Sequence, residues 1–85
     1  MDALTVINPA TGETLAEVAA DNADTIAAKA SRARAAQPAF ARMPLDERRA
    51  CIRRFRGALE SQLEVLATTL TREVGKPITQ SRNEI

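Results

Sequence analysis

Side chains that carry chemistry are scarce in this 85-residue sequence. It contains no histidine, tryptophan or tyrosine, and it has only one cysteine and three glycines. Without histidine and with a single cysteine, the sequence excludes an internal disulfide framework and the usual structural zinc sites. A lone cysteine is also typical of a reducing compartment, so we expect a cytoplasmic protein.

Charge and long apolar runs are limited too. Twelve Lys and Arg against eleven Asp and Glu leave a net charge of +1, which disfavours a nucleic-acid partner. No uncharged stretch approaches the ~20 apolar residues of a membrane span, so we expect no membrane partner. The acidic Asp2 stands where a signal peptide is positively charged, which argues against export. The composition, 45% apolar and 27% charged, is that of a small globular domain or a piece of one.

Two short β-prone runs, 4–8 and 14–18, flank turn residues near the N-terminus. Pro9 has the φ of the first central position of a turn, and Gly12 can adopt positive φ where the second strand begins. The sequence therefore predicts a β-hairpin over 4–18 with a four-residue loop. Because a two-stranded ribbon is barely stable in water, this hairpin needs a surface to pack on.

A first helix is predicted over 22–41. Asn22 can cap its N-terminus, and Asp24 lies near the positive end of the helix dipole. Pro38 removes a backbone donor, so we expect the helix to kink or end near Ala36. One face is lined at helical spacing by small or apolar residues: Ile26, Ala30, Ala33, Ala36 or Gln37, and Phe40.

A long second helix is predicted over 45–74, ended by Gly75 as a left-handed cap. Its apolar residues recur every ~3.7 positions, the period of a straight α-helix. At ~1.5 Å per residue it would run roughly 45 Å, longer than a domain of this size is wide, so much of its apolar face needs a partner. We call this face the 52–74 stripe: Ile52, Phe55, Leu59, Leu63, Leu66, Leu70 and Val74.

The last residues, 77–85, are typical of the first turns of a third helix with no stop signal. Together with the long unpartnered stripe, this ending leads us to expect that the sequence is an N-terminal fragment over its whole length, 1–85. The expected chain is a hairpin, two helices and the beginning of a third.

Few residues are candidates for chemistry. Cys51 has no histidine to activate it, so we interpret it as a structural cysteine. The acids Asp24 and Asp46 are explained as helix-start groups, and no acid pair has an apolar setting suited to acid–base work. Isolated glycines provide no phosphate loop, and no residues have metal-ligand spacing. We therefore predict no catalytic, cofactor-binding or metal-binding residue in this chain.

An arginine cluster is the densest group of charges. It suits an anion-binding surface, an inter-subunit ion-pair surface or a solvated helix face with partial pairing, and we favour the solvated face. Local partners are available for it, because Arg56 and Glu60 are four residues apart and Asp46 and Arg49 three. The members of the cluster are Arg48, Arg49, Arg53, Arg54 and Arg56.

Four ordered motifs resemble the aldehyde dehydrogenase superfamily. Residues 7–13 (INPATGE) are similar to its NPATGE opening, and 34–40 (RAAQPAF) to its RAAxPAW stretch, with Phe40 in place of Trp. Residues 44–48 (PLDER) resemble its ERxxxL helix start. Residues 71–77 (TREVGKP) are similar to its ExGKP signature, with Val74 where Thr, Met or Ser is commoner. The resemblance covers the whole chain but only about the first fifth of a family member.

The resemblance implies an α/β parent enzyme with a Rossmann-like NAD(P)-binding domain. Residues 1–85 would be the N-terminal part of that domain and wrap the rest of it, and the catalytic and oligomerisation regions would lie outside this sequence. Such enzymes oxidise an aldehyde to a carboxylic acid through a cysteine thiohemiacetal, with hydride transfer to the nicotinamide and a glutamate-activated water. An asparagine side chain and a backbone N–H hold the oxyanion. None of these residues lies in the matched part, and Cys51 is outside the catalytic-cysteine motif. Only structural positions carry over: Pro9, Gly12, Gly75 and Pro77.

On this reading the chain is catalytically silent by itself. Its partners would be the remainder of the parent enzyme, a homodimer or homotetramer, with an aldehyde as the parent's substrate and NAD or NADP as the parent's cofactor. The alternative is a small self-standing helical interaction module that associates through the 52–74 stripe.

Overall fold

A computed structural model describes residues 2–85. A hairpin comes first and four helices follow it, which confirms the predicted hairpin-then-helix order. The elements are β1 Ala3–Ile7, β2 Thr14–Ala19, α1 Ala23–Arg42, α2 Leu45–Ser61, α3 Leu63–Val74 and α4 Ile78–Glu84.

The hairpin pairs β1 with β2 antiparallel and contains a bulge beside Ile7. The Asn8 N–H donates to the Glu13 carbonyl at 2.8 Å, which leaves four residues, 9–12, in the loop. The Asn8 side chain accepts from the Ala10 N–H, and Gly12 has φ of +77°. Turn residues at these positions therefore fix the loop as their local chemistry predicts.

Helix α1 begins at a capping box. The Asn22 side chain accepts from the Thr25 N–H at 2.9 Å, and the Thr25 hydroxyl accepts from the Asn22 N–H at 2.9 Å. The helix continues through Pro38 to Arg42, in agreement with the predicted range 22–41, so of the two outcomes expected near Ala36, a kink or an end, the end is wrong. Since this part of α1 is exposed, water can satisfy the carbonyl that Pro38 leaves without a helical donor.

The predicted single helix over 45–74 is wrong in one respect, because the structure divides it into α2 and α3 at Gln62. Gln62 has φ −109° and ψ 13°, outside helical values. Just before it, the Ser61 hydroxyl donates to the Ala58 carbonyl at 2.9 Å. Serine bonding back to its own helix bends helices, and Gly57 further weakens this stretch. The apolar period runs through the break unchanged, so the spacing alone could not reveal it.

Helix α4 returns along α3 and forms the small core. Ala67 and Ser81 are the fully buried residues among those described. The Ser81 hydroxyl lies 2.8 Å from the Thr71 hydroxyl, and Arg82 binds both carboxylate oxygens of Glu64 at 2.8 and 3.1 Å. The turn between the helices uses Gly75, whose φ of +77° makes it the left-handed cap that the sequence predicts.

The hairpin loop touches the α3–α4 turn at one point. A Cβ placed on Gly75 would lie 3.2 Å from Cγ of Pro9, although 66 positions separate the two residues. Glycine at this position therefore serves two purposes, the positive φ and the close approach of the loop.

The chain as a whole is flat and open. Its Cα radius of gyration is 17.4 Å and its principal extents are 48 × 34 × 14 Å, whereas a compact chain of this length has a radius of about 12 Å. Its accessible surface is 6827 Å², about 1,900 Å² more than a compact monomer of this size exposes. Over residues 2–85, none of the helices has the length and apolar character needed to cross a membrane.

Candidate functional site

Cys51 lies half-buried in the second turn of α2. A guanidinium nitrogen of Arg54 donates to its sulfur at 3.0 Å. Both groups stand on the same helix three residues apart, so the contact is one of neighbouring side chains rather than a converging site. Among residues 2–85, no nucleophile or base forms a hydrogen bond with the Cys51 thiol. The role of Cys51 as a structural cysteine stays a prediction.

The arginine cluster divides into separate local contacts. Arg56 donates to Glu60 at 2.9 Å, and Arg49 lies 4.0 Å from Asp46, as the spacing predicts. Arg48 donates to the Met43 carbonyl at 3.2 Å and so ties the start of α2 to the end of α1. Arg53 has no hydrogen-bonded partner among the described residues. These contacts are those of a helix face with partial pairing.

The hairpin loop does not offer a phosphate cradle. Its amides are used internally: Gly12 donates to the Asn8 carbonyl at 2.8 Å, and Glu13 donates to the Thr11 hydroxyl at 3.2 Å. The Gly75 N–H likewise donates to the Thr71 carbonyl at 2.9 Å. Across 2–85, the His, Cys, Asp and Glu side chains form no group of three suited to a metal ion.

The 52–74 stripe is covered only in its middle. Leu59, Leu63, Leu66 and Leu70 are half-buried, where α4 and the α2–α3 junction approach them. At the ends, Ile52 and Phe55 are 63% and 62% exposed and Val74 is 50% exposed. The rest of the described chain therefore does not cover the whole 52–74 stripe, as the length of the apolar pattern indicates.

A groove lies where the end of α1 meets the start of α2. Its floor is apolar, formed by Phe40, Leu45 and Ile52, and these side chains are between a third and two thirds exposed. Its volume is about 470 Å³, and Arg48, Arg49 and Arg53 line its edge. We call it the arginine-rimmed groove. Sequence reasoning named its residues separately, but the bend at Met43 that brings them together was not predicted.

The hairpin has an uncovered apolar face as well. The strand register places Leu4 opposite Val18 and Val6 opposite Ala16, so these four side chains share one face. Leu4 is 57% and Val18 47% exposed. The surface that the predicted hairpin needs is therefore not supplied by residues 2–85.

Ion pairs between distant positions are the contacts that sequence reasoning missed. Lys29 lies 2.8 Å from Asp21, and its hydrogen bond, helped by one from Thr25, lowers the pKa of the Asp21 carboxyl. Glu64 raises the pKa of Arg82 in the same way. Lys76 pairs with Glu84. The partners are eight or eighteen residues apart, so no helical spacing could indicate them.

A comparison with protein-family models matches this chain over residues 1–85 to the model described as the aldehyde dehydrogenase family. No solved structure matches the chain. The family match spans every element described above, including the hairpin loop and the α3–α4 turn.

Curated relatives agree with that match. The chain is 40% identical over 78 residues to an N-succinylglutamate 5-semialdehyde dehydrogenase of Chromohalobacter salexigens and to one of Burkholderia mallei. It is 40% identical over 77 residues to N-succinylglutamate 5-semialdehyde dehydrogenase 1 of Caulobacter vibrioides. The alignments cover 91–92% of this chain but 16% of each relative, so the chain spans about a sixth of their length.

Proposed function

This chain belongs to the aldehyde dehydrogenase family, and we propose that it forms the N-terminal segment of an NAD(P)-dependent enzyme that oxidises an aldehyde to a carboxylic acid. The observation that carries the proposal is the family match over residues 1–85. The coverage of 16% of each relative supports it, because most of such an enzyme would lie outside this segment.

We assign the segment a structural role in that enzyme. Its hairpin and helices would lie against a Rossmann-like α/β cofactor domain, which would bury the hairpin face and the ends of the 52–74 stripe. About 1,900 Å² of accessible surface in excess of a compact monomer supports this role, since a partner in a standard interface buries about 800 Å².

The hairpin loop, the glycine-containing turn of the described residues 2–85 nearest in kind to a phosphate-binding turn, does not fit the pyrophosphate of NAD(P). Binding a dinucleotide pyrophosphate takes free backbone N–H groups at a glycine-rich turn leading into a helix. Here the amides of Ala10, Gly12 and Glu13 already donate within the loop. We therefore place cofactor binding, the catalytic cysteine and the proton-transferring groups in the remainder of the enzyme.

An activity assay of the complete polypeptide tests the proposal. The names of the relatives make N-succinylglutamate 5-semialdehyde the first aldehyde to assay, with NAD and NADP in parallel. We expect formation of the reduced cofactor in step with the carboxylic acid. Cys51→Ala is expected to retain activity, because we propose that Cys51 is structural. Loss of activity in a folded Cys51→Ala enzyme would contradict that assignment.

The isolated 85-residue chain is the negative control, since we expect it to oxidise no aldehyde. Turnover by the isolated chain would place the chemistry in this segment and overturn the proposal.

The cytoplasmic location and the homodimeric or homotetrameric assembly are parts of the same proposal. Fractionation of cells and the mass of the purified enzyme in solution test them.

The alternative function is a self-standing module that associates through the 52–74 stripe. The exposure of Ile52 and Phe55 is compatible with it. It predicts that the isolated chain forms a defined homo-oligomer with sharp cooperative melting, whereas the enzyme-segment proposal predicts weak, poorly cooperative folding until the remainder is present.

A further inference from the structure

We propose that the arginine-rimmed groove receives an apolar segment that carries carboxylates and belongs to the remainder of the same enzyme. This inference rests on the proposed function and adds the chemistry of the contact. It names which surface of the chain is docked and what kind of sequence docks there.

The floor of the groove requires an apolar occupant. Ile52 is 63% exposed, Leu45 is 51% exposed and Phe40 is 37% exposed, all around one depression of about 470 Å³. Removing such side chains from water stabilises a contact in proportion to the apolar surface buried. Large apolar side chains of the occupant would fill this depression.

The rim of the groove requires negative charge. Arg53 has no carboxylate within 4.0 Å among the described residues, and Arg49 reaches Asp46 only at 4.0 Å, with the Asp46 side chain 97% exposed. Arg48 uses its Nε on the Met43 carbonyl, which leaves its terminal nitrogens to other acceptors. Arginines that become desolvated at an interface need carboxylate partners, and residues 2–85 place no carboxylate closer than 4.0 Å to a rim arginine.

A second copy of this chain does not suit the groove. A two-fold contact of groove on groove would set three arginines against the same three arginines, and like charges repel one another in an interface. A nucleic acid suits it poorly as well, because the floor is aliphatic apart from Phe40 and the net charge of the chain is only +1. An acidic and apolar polypeptide segment matches both floor and rim.

Photo-crosslinking in the complete polypeptide tests the inference. With Ile52→p-benzoylphenylalanine, irradiation is expected to join the groove to a peptide of the same polypeptide that lies outside residues 1–85 and contains Asp or Glu. The product should have the mass of one chain. A peptide without a carboxylate, a two-chain product, a nucleic-acid adduct or no cross-link at all would overturn the inference.

Charge variants supply the second readout. Arg49→Glu combined with Arg53→Glu is expected to reduce the cross-link yield about tenfold, the effect of about 1.4 kcal/mol. Replacing the acidic residue of the cross-linked peptide by Arg should restore the yield in that variant. Arg32→Glu is the matched control, because Arg32 is an exposed arginine of α1 outside the groove. An unchanged yield in the double variant contradicts the role of the rim.

Different results would overturn the docking inference and the proposed function. An active enzyme whose Ile52 cross-links to an uncharged peptide would overturn the docking inference and leave the proposed function intact. A carboxylate-bearing cross-link in a polypeptide that oxidises no aldehyde would support the docking inference while removing the proposed activity.

Discussion

Gly75 and Gly57 show how differently one residue type is used within a single chain. Gly75 has φ +77° and lies close to Pro9, whereas Gly57 sits inside α2 with open space where a Cβ would lie. An alanine at 75 would adopt a left-handed backbone and press on the hairpin loop. An alanine at 57 would only add helix propensity.

Gly75→Ala is expected to destabilise the protein by about 1–2 kcal/mol, the cost of a left-handed backbone for a residue with a Cβ. Gly57→Ala is expected to stabilise it by about 0.5–1 kcal/mol. Thermal unfolding of the complete polypeptide, followed by circular dichroism, measures both. Gly12→Ala, at the same φ but in open space, isolates the backbone cost. Equal losses at 12 and 75 would mean that the Pro9 approach adds nothing.

Asp21 makes a pH-dependent contribution to the start of α1. Because Lys29 and then Thr25 lower the pKa of its carboxyl in the folded state, the charged form stabilises that state. This contribution is present above the ordinary value of 3.8 and is lost as the pH falls from there through the lower folded value. NMR titration of the Asp21 carboxyl should give a pKa below 3.8. Lys29→Met should raise it, and an unchanged value would contradict the assigned cause.

At the scale of elements, a part-buried hydroxyl pair joins α3 and α4. Ser81 is fully buried and its hydroxyl meets that of the half-buried Thr71 at 2.8 Å. Losing one hydroxyl leaves the other without its partner, whereas losing both removes the polar requirement altogether.

Ser81→Ala is expected to cost about 1 kcal/mol, since the half-buried Thr71 hydroxyl loses its partner. The double variant Thr71→Val, Ser81→Ala should be less destabilised than the sum of its single variants. Amide hydrogen exchange in α4 reports the change. Thr79→Ala, on the exposed side of the same helix, should stay within about 0.5 kcal/mol. Additive effects of the two core variants would show that the hydroxyls do not interact.

Several helix ends and the hairpin loop could be predicted from the local chemistry of single residues. Asn22 as cap, Pro9 and Gly12 in the loop, and Gly75 as the end of α3 were all readable because each acts on its immediate neighbours in the chain. The break at Gln62 was not, because it depends on a serine hydroxyl and leaves the apolar period intact. The contacts of Arg82 with Glu64 and of Pro9 with Gly75 join distant positions, and only the folded chain brings them together.

At the scale of the whole molecule, the open shape accounts for the surfaces that the sequence left unpartnered. The arginine-rimmed groove, the hairpin face and both ends of the 52–74 stripe are exposed together, and the radius of gyration is 17.4 Å. Buried apolar area is the main stabilising contribution in folding, so we propose that a chain that buries so little holds this form against further protein. The groove could not be predicted from the sequence because the bend at Met43 creates it.

The most direct test of whether the remainder of the enzyme covers α2 and α3 is amide hydrogen exchange in these helices. The exchange rates are compared between the isolated chain and the complete polypeptide. We expect exchange in the isolated chain to be close to that of an unfolded peptide. In the complete polypeptide it should be slower by at least about a hundredfold, the effect of about 2.7 kcal/mol of added stability. Equally slow exchange in a monomeric isolated chain would show that the helices hold themselves together, and would contradict the proposal that they are completed by another part of the enzyme.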